Sequence, residues 1–192
     1  MESELRSLIH LMVARHATDA HLTLRFGRLT LRLRCPERMI DDDSGMFDGR
    51  LLHYLKYISH LDLMHTMERY FVNIETMEIT DSISEALMQT VIYNARILMK
   101  EPDNYSARAE IMWAGSLSQN GLTGCGTGGG DWACHQLEHE LGGVYNVTHG
   151  AGLAAIWGSW ARYVYEVNPE RFAQFATNVF DIPCGTDYKE TA

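Results

Sequence analysis

Apolar and polar positions follow two different periods along the chain, and the first of them is confined to a short segment near the N-terminus. Apolar residues alternate with polar ones on both sides of Gly27-Arg28, at Leu22, Leu24, Phe26, Leu29, Leu31 and Leu33. This period of two predicts a β-hairpin, although two strands alone are only marginally stable in water. Its polar face carries Arg25, Arg28, Arg32 and Arg34. These arginines fit a basic patch for nucleic acid or a solvated face, and we favour the second. Turn-rich sequence follows from residue 35 to residue 50.

From residue 82 onwards the period becomes that of an α-helix. A capping box, Ser82-x-x-Glu85, opens a stretch in which apolar residues recur at helical spacing, at Ile83, Leu87, Val91, Ala95 and Leu98. Glu101-Pro102-Asp103 ends this helix, and Asn104 starts the next one. Helical spacing with such start and stop signals predicts two consecutive helices.

The remaining sequence predicts three further helices after a glycine-rich loop. The run GLTGCGTGGGD reads as a loop, and Asp131 as the cap of a helix that stops at Gly142-Gly143. Another helix begins near His149. Asn168 followed by Pro169 is an N-cap with proline at the first helical position. The fold class predicted for this part of the chain is all-α, a helical bundle with one glycine-rich loop.

Composition and charge divide the chain in the same place. The 192 residues are 46% hydrophobic and 21% charged, which is typical of soluble globular chains. Residues 1–57 carry nine basic and eight acidic side chains, whereas residues 58–192 carry seven and seventeen. The overall charge of −9 disfavours nucleic acid and anionic lipid as partners. Without a membrane-length apolar run or a signal peptide, the expected location is cytoplasmic. The cysteines are Cys35, Cys125, Cys134 and Cys184; they form no CxxC pair, and we expect reduced thiols.

Three histidines cluster in the segment DWACHQLEHELGGVYNVTHGAGL. His135 and His139 are four residues apart and therefore project from one helical face, while His149 follows a double-glycine turn that can fold the chain back. Neutral imidazoles from neighbouring helices suit Fe²⁺, Zn²⁺ or Ni²⁺. For any lone pair the alternative is helix histidines with ordinary hydrogen bonds, but three at this spacing favour a metal site.

A fourth ligand is sought in SHLDLMHTMERYF, where Asp62 and His65 stand at i and i+3 of a predicted helix. Both side chains could face one way. The alternative is an ordinary amphipathic helix, with its polar groups in water and its apolar residues buried at Leu61, Met64, Met67 and Phe71.

At these residues the sequence resembles the iron-containing alcohol dehydrogenases, specifically the butanol-dehydrogenase-like branch of NADPH- or NADH-dependent aldehyde reductases. The similar segments are LMHTMERYF, ARAEIMWAGSLSQNGLTGCG, GDWACHQLEHELGGVYNVTHGAGLAAIW and NPERFAQFATNVF, which together extend over about 58–192. The resemblance implies the dehydroquinate-synthase-like fold, in which an N-terminal dinucleotide-binding α/β domain precedes a helical domain. The metal lies in the cleft between them.

The resemblance also assigns roles to individual residues. His65, His135 and His149 match the metal-binding histidines of the family, and His139 matches a further histidine that lines the catalytic cleft. The family's remaining ligand is an aspartate four residues before the first histidine. Leu61 occupies that position here, and Asp62 is one residue too close. The implied site therefore has three histidines, unless a helix distortion lets Asp62 reach the metal.

The implied activity is hydride transfer between NAD(P)H and a small aldehyde or primary alcohol, assisted by Fe²⁺ or Zn²⁺, in enzymes that are homo-oligomers. Trp132, Trp157 and Trp160 would either wall the cleft or, as we favour, pack in the core. No GxGxxG motif follows a strand, so NADP(H) or NAD(H) would be held only by a domain that we expect this chain to lack. We expect both ends of the family sequence to be missing and the isolated chain to be inactive.

The domain division expected from this resemblance is a partial helical metal-binding domain over 61–192 and an unassigned segment over 1–60. That segment could arise from a frameshift or a misjoined gene. Two alternatives to the enzyme remain. One is a non-catalytic metal-binding fragment. The other is a zinc peptidase of the H-x-x-E-H type, formed by His135, Glu138 and His139, but only 53 residues remain for its downstream glutamate ligand.

Overall fold

A computed structural model describes residues 62–192 and the backbone of two short strands. Strand β1, His21–Phe26, pairs with β2, Leu29–Arg34, in an antiparallel register that joins His21 to Arg34 and Phe26 to Leu29. The predicted hairpin is therefore confirmed. The side chains of this hairpin, including its arginines, lie outside the described residues, as do the predicted loop at 35–50 and Leu61.

Helices account for most of residues 62–192, which confirms the all-α prediction for this region. The described part of α1 covers 62–70. It is followed by α2 Glu78–Leu98, α3 Tyr105–Gln119, a 3-10 turn Leu122–Gly124, α4 Ala133–Tyr145, α5 His149–Val164, α6 Pro169–Phe180 and α7 Tyr188–Thr191. None of the helices described here is long and apolar enough to cross a membrane.

Two predicted N-caps are confirmed by their hydrogen bonds. The Asn104 side chain accepts a hydrogen bond from the backbone N–H of Ala107 at 3.0 Å. The Asn168 side chain accepts one from Arg171 at 3.2 Å, and Pro169 occupies the first turn as expected. Such caps depend only on residues a few positions apart, which is why the sequence is sufficient to predict them.

Three predicted boundaries are wrong. Helix α2 begins at Glu78 rather than at a Ser82 cap, because the acidic first turn suits the helix dipole and long-range contacts hold Asp81. Helix α4 continues past Gly142-Gly143 to Tyr145 and ends at Asn146, which takes the left-handed conformation. At its start, Asp131 accepts a hydrogen bond from Ala133, but the cap position itself belongs to Trp132.

Helix α1 lies at the centre of the main hydrophobic core. Met64 and Met67 of this helix, and Phe71 directly after it, are buried, as the amphipathic pattern predicts, and pack with residues of α4, α5 and α6. A second core joins α2 to α3. The aromatic part of the main core includes Phe71, Trp157, Trp160, Phe172 and Phe175, with Phe71 and Phe172 ring centroids 4.4 Å apart. Trp157 and Trp160 therefore pack in the core, as favoured above.

A buried ion pair connects α6 to α1 and α2. Both terminal nitrogens of Arg171 donate to the Asp81 carboxylate, at 2.5 and 2.6 Å, and its Nε donates to the backbone carbonyl of Tyr70 at 2.9 Å. The guanidinium also lies 3.6 Å from the centroid of the Tyr70 ring. Burial opposes ionisation of Asp81, but the hydrogen bonds from Arg171 and Thr76 together hold its pKa below the ordinary value of 3.8.

Replacing Asp81 with asparagine should lower the free energy of unfolding by about 3–5 kcal/mol, because it leaves the Arg171 charge buried without its partner. Chemical denaturation at pH 7 measures this loss. Since folding lowers the pKa of Asp81, the stabilisation is present above the unfolded pKa of 3.8 and is lost as the pH falls through the folded value. The difference between the two proteins should therefore shrink in acid.

Asp103→Asn is the matched control, because it removes the same charge from an exposed pair with Arg108. Its effect should stay within about 1 kcal/mol. Equal losses in the two variants would contradict a special role for the buried pair.

Candidate metal centre

Three helices bring His65, His135 and His149 together. His65 lies on α1, His135 on α4 and His149 at the first position of α5, and one ring nitrogen of each lies within 4.8 Å of the others. The ring centroids are 4.5 Å apart for His65 and His135, and 5.2 Å for His135 and His149. Since a metal–imidazole bond is about 2.0–2.1 Å long, small side-chain rotations would suffice to bind one ion.

The chain reversal between α4 and α5 is what brings His149 back to His135. Asn146 adopts φ 53°, a left-handed conformation that asparagine tolerates better than most residues, and it ends α4. Two residues later, Thr148 is the N-cap residue of α5. The sequence predicts such a return, although it assigns the turn to the two glycines rather than to Asn146.

Glu68 is hydrogen-bonded to the His135 imidazole at Nδ1, the ring nitrogen that does not face His65. Its Oε2 lies 2.9 Å from Nδ1 of His135, and its Oε1 accepts the backbone N–H of Cys134 at 2.8 Å. The side chain is only 2% exposed. Burial, and then the nearby Glu68 carboxylate, raise the pKa of the Cys134 thiol far above its ordinary value. Cys134 is therefore a protonated core residue and a poor metal ligand.

Glu138 holds a second imidazole in the same way. Its Oε2 is hydrogen-bonded to Nδ1 of His149, and its side chain is also 2% exposed. The sequence pattern does not predict this role for either glutamate. A glutamate three residues after a candidate ligand, as in His65-x-x-Glu68 and His135-x-x-Glu138, is the only local signal, and surface helices carry it often.

The arrangement of ring nitrogens fits a divalent metal. The Nε2 atoms of His65 and His135 lie 3.2 Å apart and face each other. Two lone pairs would repel at this distance, so a proton or a cation must lie between them. Because Nδ1 of His135 and of His149 is engaged by a glutamate, Nε2 is the nitrogen left for a metal. Neutral imidazoles of this kind suit Fe²⁺ and Zn²⁺.

Asp62, the fourth predicted ligand, is not part of this three-histidine group. Its carboxylate is directed towards α3, where a Cβ atom on Gly115 would lie 3.0 Å from Oδ1. Asp62 is 3% exposed, Oδ2 has no hydrogen-bond partner among the described residues, and burial raises its pKa to about 7. Helix α1 is regular here, with the Thr66 hydroxyl donating to the Asp62 carbonyl at 3.0 Å. Its ligand role stays a prediction.

His139, the predicted catalytic residue, lies at the exposed edge of the cluster. Its ring stacks on His149 with centroids 5.4 Å apart and is 6.2 Å from His135. With Glu138 and His149 it forms a second group close enough to bind a metal. The peptidase alternative gains no support, because its base must reach water whereas the Glu138 carboxylate is buried against His149.

Trp132 is the one tryptophan of the three considered that contacts the histidines. Its ring centroid is 4.9 Å from that of His135 and 5.9 Å from that of His65, and its φ of 58° is unusual for a bulky residue. The Arg69 guanidinium lies 5.1 Å from the Trp132 ring and donates to Ser118 and Thr123. Arg69 thereby ties α1 to both ends of the glycine-rich segment.

Comparison with known proteins agrees with the family resemblance. The sequence model of the Fe-containing alcohol dehydrogenase family, C-terminal, matches residues 58–192. The chain is 40% identical over 133 residues to NADH-dependent butanol dehydrogenase A of Clostridium acetobutylicum, which covers 68% of this chain and 34% of that protein. It is 33% identical over 124 residues to the NADPH-dependent aldehyde reductase YqhD of Escherichia coli, covering 65% and 32%.

A solved structure gives the same result. The NADH-dependent butanol dehydrogenase A of Thermotoga maritima superposes with a TM-score of 0.67 at 36% identity, over 70% of this chain and 33% of that one. The chain thus spans about a third of the length of the relatives it matches. Because the family model accounts for well over half of the residues, the chain belongs to the Fe-containing alcohol dehydrogenase family, whose C-terminal region it matches.

Proposed function

We propose that residues 61–192 form a partial helical metal-binding domain of an NAD(P)H-dependent alcohol dehydrogenase or aldehyde reductase. The reaction would transfer hydride between NAD(P)H and a small aldehyde or primary alcohol. The observation that carries this proposal is the approach of His65, His135 and His149 to within 4.8 Å of one another. The named activities of the butanol dehydrogenases and of the aldehyde reductase support it.

Each residue of the centre has a defined part in this proposal. His65, His135 and His149 would hold Fe²⁺ or Zn²⁺, which polarises the substrate oxygen as a Lewis acid. Asp62 would join them only by turning away from Gly115. Exposed His139, stacked on His149, is positioned to exchange a proton with the substrate oxygen and with water. The Trp132 ring would provide an apolar wall for the alkyl part of the substrate.

The nicotinamide cofactor would be held outside the described residues. Between residues 62 and 192 there is no strand, and hence no βαβ unit with a glycine-rich turn for a pyrophosphate. Residues 1–60 stay unassigned. The complete enzyme would be a homo-oligomer.

A second candidate is a metal-binding fragment without turnover. Leu61 stands where the family places an aspartate ligand, and the Asp62 carboxylate points to α3 instead. Without that anion, metal affinity and Lewis acidity would both change. The two candidates share a metal site and differ in catalysis, so they are tested separately.

The full 192-residue chain should bind one Co²⁺ or Zn²⁺ ion. Titration with Co²⁺, followed by visible absorption and calorimetry, measures stoichiometry and affinity. His135→Ala and His149→Ala should each weaken binding by more than about 100-fold, since loss of a ligand exceeds the 10–100-fold effect of outer-shell groups. Unchanged affinity in both variants would overturn the proposed site.

Two further variants identify the ligand set. Asp62→Asn should leave the affinity unchanged within error if the three-histidine group binds the ion, and a large loss would restore Asp62 as a ligand. His139→Ala should also bind normally. A loss there would instead favour the group formed by Glu138, His139 and His149.

The metal-loaded chain alone should not catalyse aldehyde-dependent oxidation of NADH or NADPH. Holding the hydride donor at reacting distance accounts for much of the catalysis in such enzymes, and the described helices offer no site for it. Absorbance at the nicotinamide band with butyraldehyde as substrate measures the rate. A metal-dependent rate above the blank would show that this chain holds its own cofactor.

A further inference from the structure

The three helices of the centre share a spacing that the metal ligands alone do not explain. In α1, α4 and α5 the histidine is followed three residues later by a second residue of the site: His65 by Glu68, His135 by Glu138, and His149 by Gly152. Residues three apart lie on the same helical face. Glu68 and Glu138 each contact the histidine of the next helix rather than their own, and Gly152 borders Glu138 of the preceding helix.

The first link runs from α1 to α4. Glu68 uses both oxygens, one on Nδ1 of His135 and one on the backbone N–H of Cys134, in the first turn of α4 where N–H groups lack helical partners. Two bonds from one buried carboxylate leave it little freedom to rotate. The position of His135 relative to α1 is therefore set by Glu68.

The second link runs from α4 to α5 and requires room for the Glu138 side chain between the two helices. Glu138 reaches Nδ1 of His149, and its side chain lies against Gly152 in the first turn of α5. A Cβ atom on Gly152 would come within 2.6 Å of Glu138 Cγ and 2.7 Å of its Oε1; one on Gly142 would be 3.2 Å from Oε1. Glycine is among the least favourable residues inside a helix, so room for Glu138 is a specific reason for Gly152.

The second oxygen of Glu138 argues against a purely structural role. Oε1 is buried and has no hydrogen-bond partner among the described residues. A leucine or methionine would fill this space without leaving a buried polar atom unpaired. The reason for a carboxylate at this position is therefore the hydrogen bond between Oε2 of Glu138 and Nδ1 of His149.

We propose that Glu68 and Glu138 are positioning residues that hold His135 and His149 in the Nδ1–H form, with Gly152 as the space that Glu138 requires. An ionised carboxylate only accepts hydrogen bonds, so a neutral imidazole facing it must carry its proton on Nδ1. Each Nε2 then keeps a lone pair that a metal can bind. Without a metal, the lone pair of His135 accepts a hydrogen bond from Nε2 of His65, and a bound ion would replace that proton. The inference rests on the proposed metal site, but it makes a claim about proton positions that does not require a metal.

The first measurement is the tautomer of each histidine in the full chain without added metal. Nitrogen-15 spectra of histidine-labelled protein at pH 8 distinguish Nδ1–H from Nε2–H rings, and His135→Ala and His149→Ala assign the signals. His135 and His149 should be Nδ1–H. Finding either of them predominantly Nε2–H in the unmodified chain would overturn the inference for that link, whatever the variants do.

The second measurement removes each acceptor in turn. Glu138→Leu should shift only His149 towards Nε2–H, and Glu68→Leu only His135, each weakening Co²⁺ binding by about 10–100-fold. Glu138→Gln keeps an acceptor oxygen and should recover part of the loss. Gly152→Ala should reproduce the His149 effect without altering Glu138 itself. Unchanged tautomers and affinities in the leucine variants would refute the proposal.

Glu110→Leu is the matched control, because Glu110 is exposed on α3. It should change neither tautomer nor affinity. Circular dichroism checks that each variant is folded, and should a leucine variant unfold, Gly152→Ala and the unmodified chain still decide the question. Absence of Co²⁺ binding by the unmodified chain would refute the proposed function, while the tautomer spectrum would still test the inference.

Discussion

The centre depends on the hydrogen bonds that the Glu68 carboxylate makes across the contact between α1 and α4. One buried side chain orients His135 and satisfies an N–H group at the start of α4. Because both acceptors belong to the same carboxylate, the direction of the imidazole and the position of the helix end cannot vary independently. Histidines brought together without such a link could rotate, and their lone pairs would converge only part of the time.

Helix α1 can present these groups because its other face is anchored in the core. Met64, Met67 and Phe71 pack beneath the helix, while His65, Glu68 and Arg69 serve the centre and the glycine-rich segment. At its end, the Tyr70 carbonyl accepts the Arg171 guanidinium, which also neutralises Asp81. Packing and the buried ion pair thus fix α1 on one side, while Arg69 holds its polar side to the glycine-rich segment.

The charges around the histidines follow from the same arrangement. Three neutral imidazoles would leave the full charge of a divalent ion uncompensated, and the position of the expected anionic ligand is taken by Leu61. Two buried glutamates are hydrogen-bonded to two of these histidines and would supply negative charge through them rather than by binding the ion directly. Asp62 is a third buried carboxylate, but it faces Gly115, and burial raises its pKa to about 7. Compensation through hydrogen-bonded carboxylates is common behind metal-bound histidines.

Features that depend on near neighbours could be predicted from the sequence. The caps at Asn104 and Asn168, the hairpin, the buried side of α1 and the family itself all follow from short patterns or from matching segments. Such features need no knowledge of what lies opposite, because a cap or a helical face is decided within a few residues.

What the sequence by itself determined is the existence of the six longer helices, the family and the three histidines as candidates. The tertiary structure alone decided that His139 lies at the exposed edge while His135 faces His65, that α2 starts at Glu78, and that Asp62 turns to α3. It also decided the roles of Glu68 and Glu138. Each of these depends on partners on another helix, 67 residues away for Glu68 and His135, and on whether a glycine leaves room for them. A carboxylate three residues after a histidine looks the same in sequence whether it meets water or a buried imidazole.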